Sequence, residues 1–154
     1  MPDQHTILVG VSSNPASLEA VAVACASAKS RRSKVVAIHV IEVNRSLALQ
    51  SELEGEARRG EQILRRAEET AAQAGYVLDA ELLQAREAGP ALVEEARARK
   101  VDALVIGIGP SKVLGDFRLG KTSAFVLKHA GPDVWVVRRG TEPSHTHPVE
   151  ASRS

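Results

Sequence analysis

VDALVIGIGPSKVLGDFRLGKTSAFVLKHAGPDVWVVR, the stretch from Val101 to Arg138, decides the fold. It predicts an apolar strand over Ala103 to Ile106 that ends in Gly107, then a glycine-punctuated loop from Ile108 to Gly120. A short amphipathic helix starts at Lys121, and a last apolar strand covers Val134 to Val137. This order frames a phosphate. Backbone N–H groups and the positive end of the helix point at one place, and glycines let an anion approach the main chain closely.

The loop has two registers. From Gly115, the residues Gly115-Asp116-Phe117-Arg118-Leu119-Gly120-Lys121-Thr122 spell G-x-x-x-x-G-K-[ST], a P-loop. From Gly107, the same stretch gives Gly107-x-x-Pro110, nine residues, then Gly120. The first glycine of a P-loop should leave a buried strand directly, yet seven residues separate Gly107 from Gly115. Hydrolysis there also needs an acid at a neighbouring strand end to hold Mg²⁺. Asp133 lies at the wrong end of the last strand, which leaves Glu42 as the fallback and makes the P-loop the weaker register.

With 154 residues, 44 % of them hydrophobic, the chain is expected to form one domain around a sizeable core. Twenty basic and 19 acidic residues leave a formal net charge of +1, so no field gathers nucleic acid or anionic membrane. Aromatic content of 3 % also removes base-stacking platforms, and no nucleic-acid partner is expected. Cys25 is the single cysteine, set in an Ala/Val-rich stretch where a free thiol packs as a small hydrophobe. No apolar run approaches the roughly 20 residues that span a bilayer, and no signal-peptide pattern opens the chain. The expected location is the cytoplasm.

Upstream, His5 to Val11 is a near-continuous apolar run of the kind buried on both faces of a parallel sheet. Ser12-Ser13-Asn14-Pro15 offers cap residues and a first-turn proline, followed by a helix to about Lys29 with Leu18, Val21, Ala22 and Cys25 at helical spacing. Val35 to Val43 predicts the second strand, and the Ala-, Leu-, Glu- and Arg-rich run Ser46 to Ala74 one long helix, loosened near Gly55 and Gly60. Val77 to Ala85 alternates as an edge strand does, and Gly89-Pro90 opens a helix to about Arg99. Strands and helices thus alternate throughout, which implies a parallel sheet with helices on both faces and a ligand crevice at the carboxyl ends of the strands. The tail 140–154 has no periodicity and is expected to be disordered; His145 and His147 in it are assigned no metal.

Several segments together resemble the universal stress protein family. They are Ile7-Leu8-Val9-Gly10-Val11-Ser12-Ser13, Ile38-His39-Val40-Ile41, Glu87-Ala88-Gly89-Pro90-Ala91, the strand from Val101 to Gly107, Leu127-Lys128-His129-Ala130 and Val134-Trp135-Val136-Val137-Arg138. The spacing from Gly107 to Gly120 is similar to that family's nucleotide loop. The resemblance covers residues 5 to 138 and implies a doubly wound, Rossmann-like sheet of five parallel strands in the order 3-2-1-4-5. It also implies a homodimer and a bound adenine nucleotide, ATP or a relative, with Mg²⁺ accompanying the phosphates. Carried over residue by residue, Gly10, Val11, Ser12 and Val40 belong to the base side of the site. Gly107, Gly109, Gly120, Lys121, Thr122 and Ser123 belong to the phosphate side, and Ile106 lies in the site as well.

Three positions depart from the family pattern. Ser12 stands where binding members carry an aspartate, Pro110 replaces the second loop glycine, and Lys121 replaces the hydroxyl residue after the last glycine. Ser12 keeps one hydrogen bond but loses the carboxylate, and Pro110 offers no N–H. Lys121 adds a cation where phosphates would lie. Each site residue also has a purely structural role open to it: glycines for tight turns, Lys121 as a solvated side chain, Thr122 and Ser123 as helix starters, and His39 as a hydrogen-bonded strand residue. No nucleophile, base and orienting acid can be assembled, so no enzyme, no catalytic residue and no metal site are expected. Two functions remain: a regulatory protein that binds a nucleotide without efficient hydrolysis, or a dimeric scaffold that binds none. Val134 to Val137, an apolar run at the sheet edge, is the expected dimer seam.

Overall fold

The computed structural model describes residues 5–43, 50–109 and 119–138. Expectations for 46–49, Pro110, Gly115, Asp116 and the tail from Gly140 fall outside these residues. The chain runs β1 (Thr6–Gly10), α1 (Ala16–Arg31), β2 (Lys34–Glu42), α2 (Gln50–Gln73), β3 (Asp79–Ala85), α3 (Ala88–Ala98), β4 (Ala103–Ile108), α4 (Lys121–His129) and β5 (Asp133–Arg138). The sheet is wholly parallel, in the order β3-β2-β1-β4-β5.

Strand periodicity divides the core. Ile7, Val9, Val35, Ala37 and Val105 face α1 and α2, while Leu8, Val36, Ile38, Val40, Leu104 and Ile106 face α3 and α4. Both faces are covered, so the three inner strands read as apolar runs without polar alternation. Leu8 and Leu104 have no exposed surface, and truncating such a residue to alanine costs about 2 to 5 kcal/mol.

Two expected boundaries need correction. The third strand begins at Asp79, which pairs with Val36, and Val77 lies before it, 90 % exposed. The cause is the end of α2: Gly75 adopts φ +74°, and Tyr76 N–H donates to the Ala71 carbonyl, so the chain is still turning at Val77. The fourth strand does not end at Gly107 but continues to Ile108, because β5 runs beside it with Gly107 against Val137 and Ile108 against Arg138. Nor is α2 loosened at its glycines. It is continuous, and at Gly60 a Cβ would fall 2.6 Å from Leu82 Cδ1, so the glycine lets the helix sit down on β2 and β3.

The two sheet edges differ in chemistry. On β3, Asp79 pairs with Lys34 and Glu81 pairs with Arg99, which also bonds Glu95. The Glu81 carboxylate holds the Arg99 guanidinium still more firmly protonated, against the opposing effect of its burial. On β5, Val136 is 41 % exposed, flanked by half-buried Trp135 and Val137.

Candidate functional site

The central strand is recessed. β1 stops at Gly10, opposite Ile38, while β2 runs on to Glu42 alongside β3, and β4 runs on to Ile108 alongside β5. Above the end of β1, the inner edges of β2 and β4 face each other across a cleft of about 390 Å³. Val11 N–H donates to the Ile38 carbonyl, so the backbone of Ile38 points toward β1. By strand alternation the N–H and C=O of Val40 point the same way, into the gap that β1 has vacated.

The cleft gathers every residue that the sequence nominated. Gly10, Val11, Ser12, Val40, Ile106, Gly107, Gly109, Gly120, Lys121, Thr122 and Ser123 all line it. Asn14, Ser17, Ile38, His39, Glu42, Ala88, Leu92 and Ile108 line it too, and of these the sequence named only Glu42, as the fallback acid of the P-loop register. Asn14 was legible as a cap residue and Glu42 as a strand-end acid. Nothing local in the sequence marks Ala88 or Leu92, which reach the cleft only because α3 starts beside the end of β2.

One flank is the start of α1. Ser17, 3 % exposed, accepts from the Ser12 N–H at 2.9 Å, and the two serine hydroxyls lie 3.3 Å apart. Ser12 Oγ also accepts from the Asn14 N–H, while Asn14 Oδ1 accepts from the Ala16 N–H. Ser12 is therefore engaged in building the loop into α1. Gly107 abuts this same turn: a Cβ there would lie 2.2 Å from the Ala16 carbonyl oxygen, so packing alone demands glycine.

The other flank is the start of α4. Its first helical bond is Ala124 N–H to the Gly120 carbonyl, which leaves the N–H groups of Lys121, Thr122 and Ser123 ahead of it. Its N-cap residue is Gly120, which has no side chain to cap it, and none of the described side chains takes that place. Gly120 has ordinary extended geometry, φ −72° and ψ 176°, and none of the described atoms lies within 4 Å of where its Cβ would stand. Neither strain nor packing against the described residues requires glycine there. Lys121 Nζ pairs with Glu87 Oε2.

Two more groups fix the walls. Glu42 Oε2 accepts from the Ala88 N–H at 2.8 Å, so a carboxylate from β2 caps α3. His39 Nδ1 donates to the Val11 carbonyl at 2.9 Å, the bonded structural role expected of it. Among the described residues no group of three or more His, Cys, Asp or Glu side chains could hold a metal ion, and no helix is long and apolar enough to cross a membrane.

Known proteins of similar structure share the whole architecture. A universal stress protein from Archaeoglobus fulgidus matches with a TM-score of 0.75 at 19 % identity, over 88 % of this chain and 99 % of that one. Universal stress protein UspA from Lactobacillus plantarum gives 0.74 at 22 % identity, over 90 % of this chain and 100 % of that one. A universal stress protein solved in complex with cAMP gives 0.67 at 29 % identity, over 86 % of this chain and 96 % of that one. A search of curated proteins by sequence finds no significant match. The model of the universal stress protein family matches residues 4–138, which takes in all nine elements of the sheet and its helices, and the chain belongs to that family.

Proposed function

We propose that this protein is a cytoplasmic regulatory protein that holds an adenine nucleotide in the cleft above β1 and does not hydrolyse it efficiently. The observation that carries this is the convergence of two unlike surfaces on one cavity. The Val40 backbone supplies a donor and an acceptor side by side at one end, and the open start of α4 with Lys121 supplies an anion site at the other. Adenine carries a matching acceptor and donor on one edge, and a phosphate suits the first N–H groups of α4. The similarity to a structure solved with cAMP supports the same ligand class. Mg²⁺, where present, would arrive on the nucleotide's own phosphates, since the described residues offer it no cluster of acids.

The scaffold alternative draws on two facts: Ser12 is taken up by the α1 turn, and Lys121 already has Glu87 as partner. The P-loop fits less well, because β4 ends at Ile108 with residues 109–114 still to come before Gly115, and Glu42 caps α3. Mass spectrometry of small molecules released from the purified protein separates these readings. An adenine nucleotide in stoichiometric amount is expected; its absence, together with no uptake of added nucleotide, favours the scaffold.

A further inference from the structure

We infer that Glu42 reads the base, accepting a hydrogen from the exocyclic amino group and so selecting a 6-aminopurine over a 6-oxopurine. This rests on the nucleotide-binding function proposed above and names its specificity residue. Among the charged groups lining the cleft, Glu42 is the one carboxylate and Lys121 the one lysine, counted over the described residues. Phosphates are drawn to Lys121 and repelled by Glu42, which fixes which end of a nucleotide enters beside β2.

Glu42 is also held in place for the task. One of its oxygens is anchored by the Ala88 N–H, its sole partner among the described residues, and a carboxylate has roughly four acceptor positions in all. None of the described residues engages the second oxygen at the cleft wall. Glu42 stands two residues beyond Val40 on the same strand, a rise of roughly 6.6 Å. Two acceptors that share one amino group sit about 5 Å apart, each at about 2.9 Å from the nitrogen. A four-bond side chain covers that difference, so the Val40 carbonyl and the Glu42 carboxylate can take one hydrogen each. A 6-oxo group offers neither hydrogen. It sets lone pairs against a carboxylate and leaves both acceptors unsatisfied, the arrangement by which polar sites reject an analogue most sharply.

The test is titration of the full chain and of Glu42→Gln with ATP and with ITP, which carries an oxygen in place of the amino group. The glutamine oxygen keeps the Ala88 bond, while its NH₂ can donate to a 6-oxo group. The unmodified protein is expected to prefer ATP by about a hundredfold, and Glu42→Gln to cut that ratio about tenfold, mainly by binding ITP more tightly. An unchanged ratio in a variant that still binds ATP overturns the assignment to Glu42 and leaves the nucleotide function standing. Binding of neither nucleotide by the unmodified protein overturns both. Should Glu42→Gln not fold, Glu42→Asp decides: ATP bound about tenfold more weakly than by the unmodified protein, with the affinity for purine riboside triphosphate unchanged, supports the inference, and an equal change for both nucleotides overturns it.

Discussion

Lys121 Nζ lies 3.3 Å from Glu87 Oε2, joining the first residue of α4 to the residue that precedes α3. The side chains are 75 % and 48 % exposed, and so open an ion pair is worth about 0.2 to 1 kcal/mol. A charged contact to phosphate is worth about 1.5 to 3 kcal/mol, so an arriving anion takes Lys121 from Glu87. Lys121→Ala should therefore weaken nucleotide binding about ten- to a hundredfold, and Glu87→Gln should strengthen it a few-fold by removing the competitor. Equal affinity in Lys121→Ala and the unmodified protein would remove Lys121 from the site.

A bound triphosphate should persist. Rapid phosphoryl transfer needs charge neutralised, a metal held and a water aligned against the γ-phosphate. Lys121 and the α4 N–H groups are proposed for the first need, while Glu42 is the one acid lining the cleft and no acid cluster accompanies it among the described residues. Phosphate release with excess Mg²⁺ should run well below the roughly 1 to 1000 per second of ordinary enzymes. Turnover in that range, abolished by both Lys121→Ala and Glu42→Gln, would restore the P-loop.

The apolar edge of β5 should pair with its copy in a second chain. Lysine at an edge strand opposes such pairing, and β3 already carries charges that serve this purpose. Val136→Lys should yield monomers in sedimentation, since Val136 is exposed and its loss leaves the core intact. A monomeric unmodified protein at high concentration would contradict the pairing.

Much of the fold was legible because each inner strand is a near-continuous apolar run, interrupted in β2 by His39, and because Gly75 and Gly89-Pro90 punctuate the chain between helix and strand. β4 shows the limit. Gly107 looked like a strand end by residue type, but hydrogen bonding to β5 carries the strand past it. The candidate site was legible where it is built from strand ends and loop glycines. It was not legible where distant residues meet: Glu42 with Ala88, Lys121 with Glu87 and Ser12 with Ser17 are set by how helices land on the sheet. Ser12 illustrates this, since it lines the cleft as expected while its hydroxyl also accepts from the Asn14 N–H in the turn before α1.

Alkali should destabilise the fold through two protons held on buried groups. Burial pushes the Cys25 thiol above its ordinary 9.0. The Tyr76 phenol, which donates to the Ser33 carbonyl, is raised above 10.0 by burial and then by Cys25. The folded chain thus holds both protons more tightly than the unfolded chain. Their contribution is whole below the unfolded values and is lost as pH rises through the folded ones. Thermal unfolding at about pH 8 and about pH 10.5 should show the loss, smaller in Tyr76→Phe than in the unmodified protein. An equal alkaline drop in both would exclude the phenol as a contributor.

Binding itself is tested most directly by calorimetric titration with ATP of the unmodified protein beside Ser123→Glu. A glutamate in the first turn favours the helix dipole, so α4 should remain folded, yet its charge occupies the place proposed for phosphate. Saturable one-to-one binding by the unmodified protein, lost in Ser123→Glu, is the predicted result. No binding by the unmodified protein, or undiminished binding by Ser123→Glu, would contradict a nucleotide seated on the start of α4.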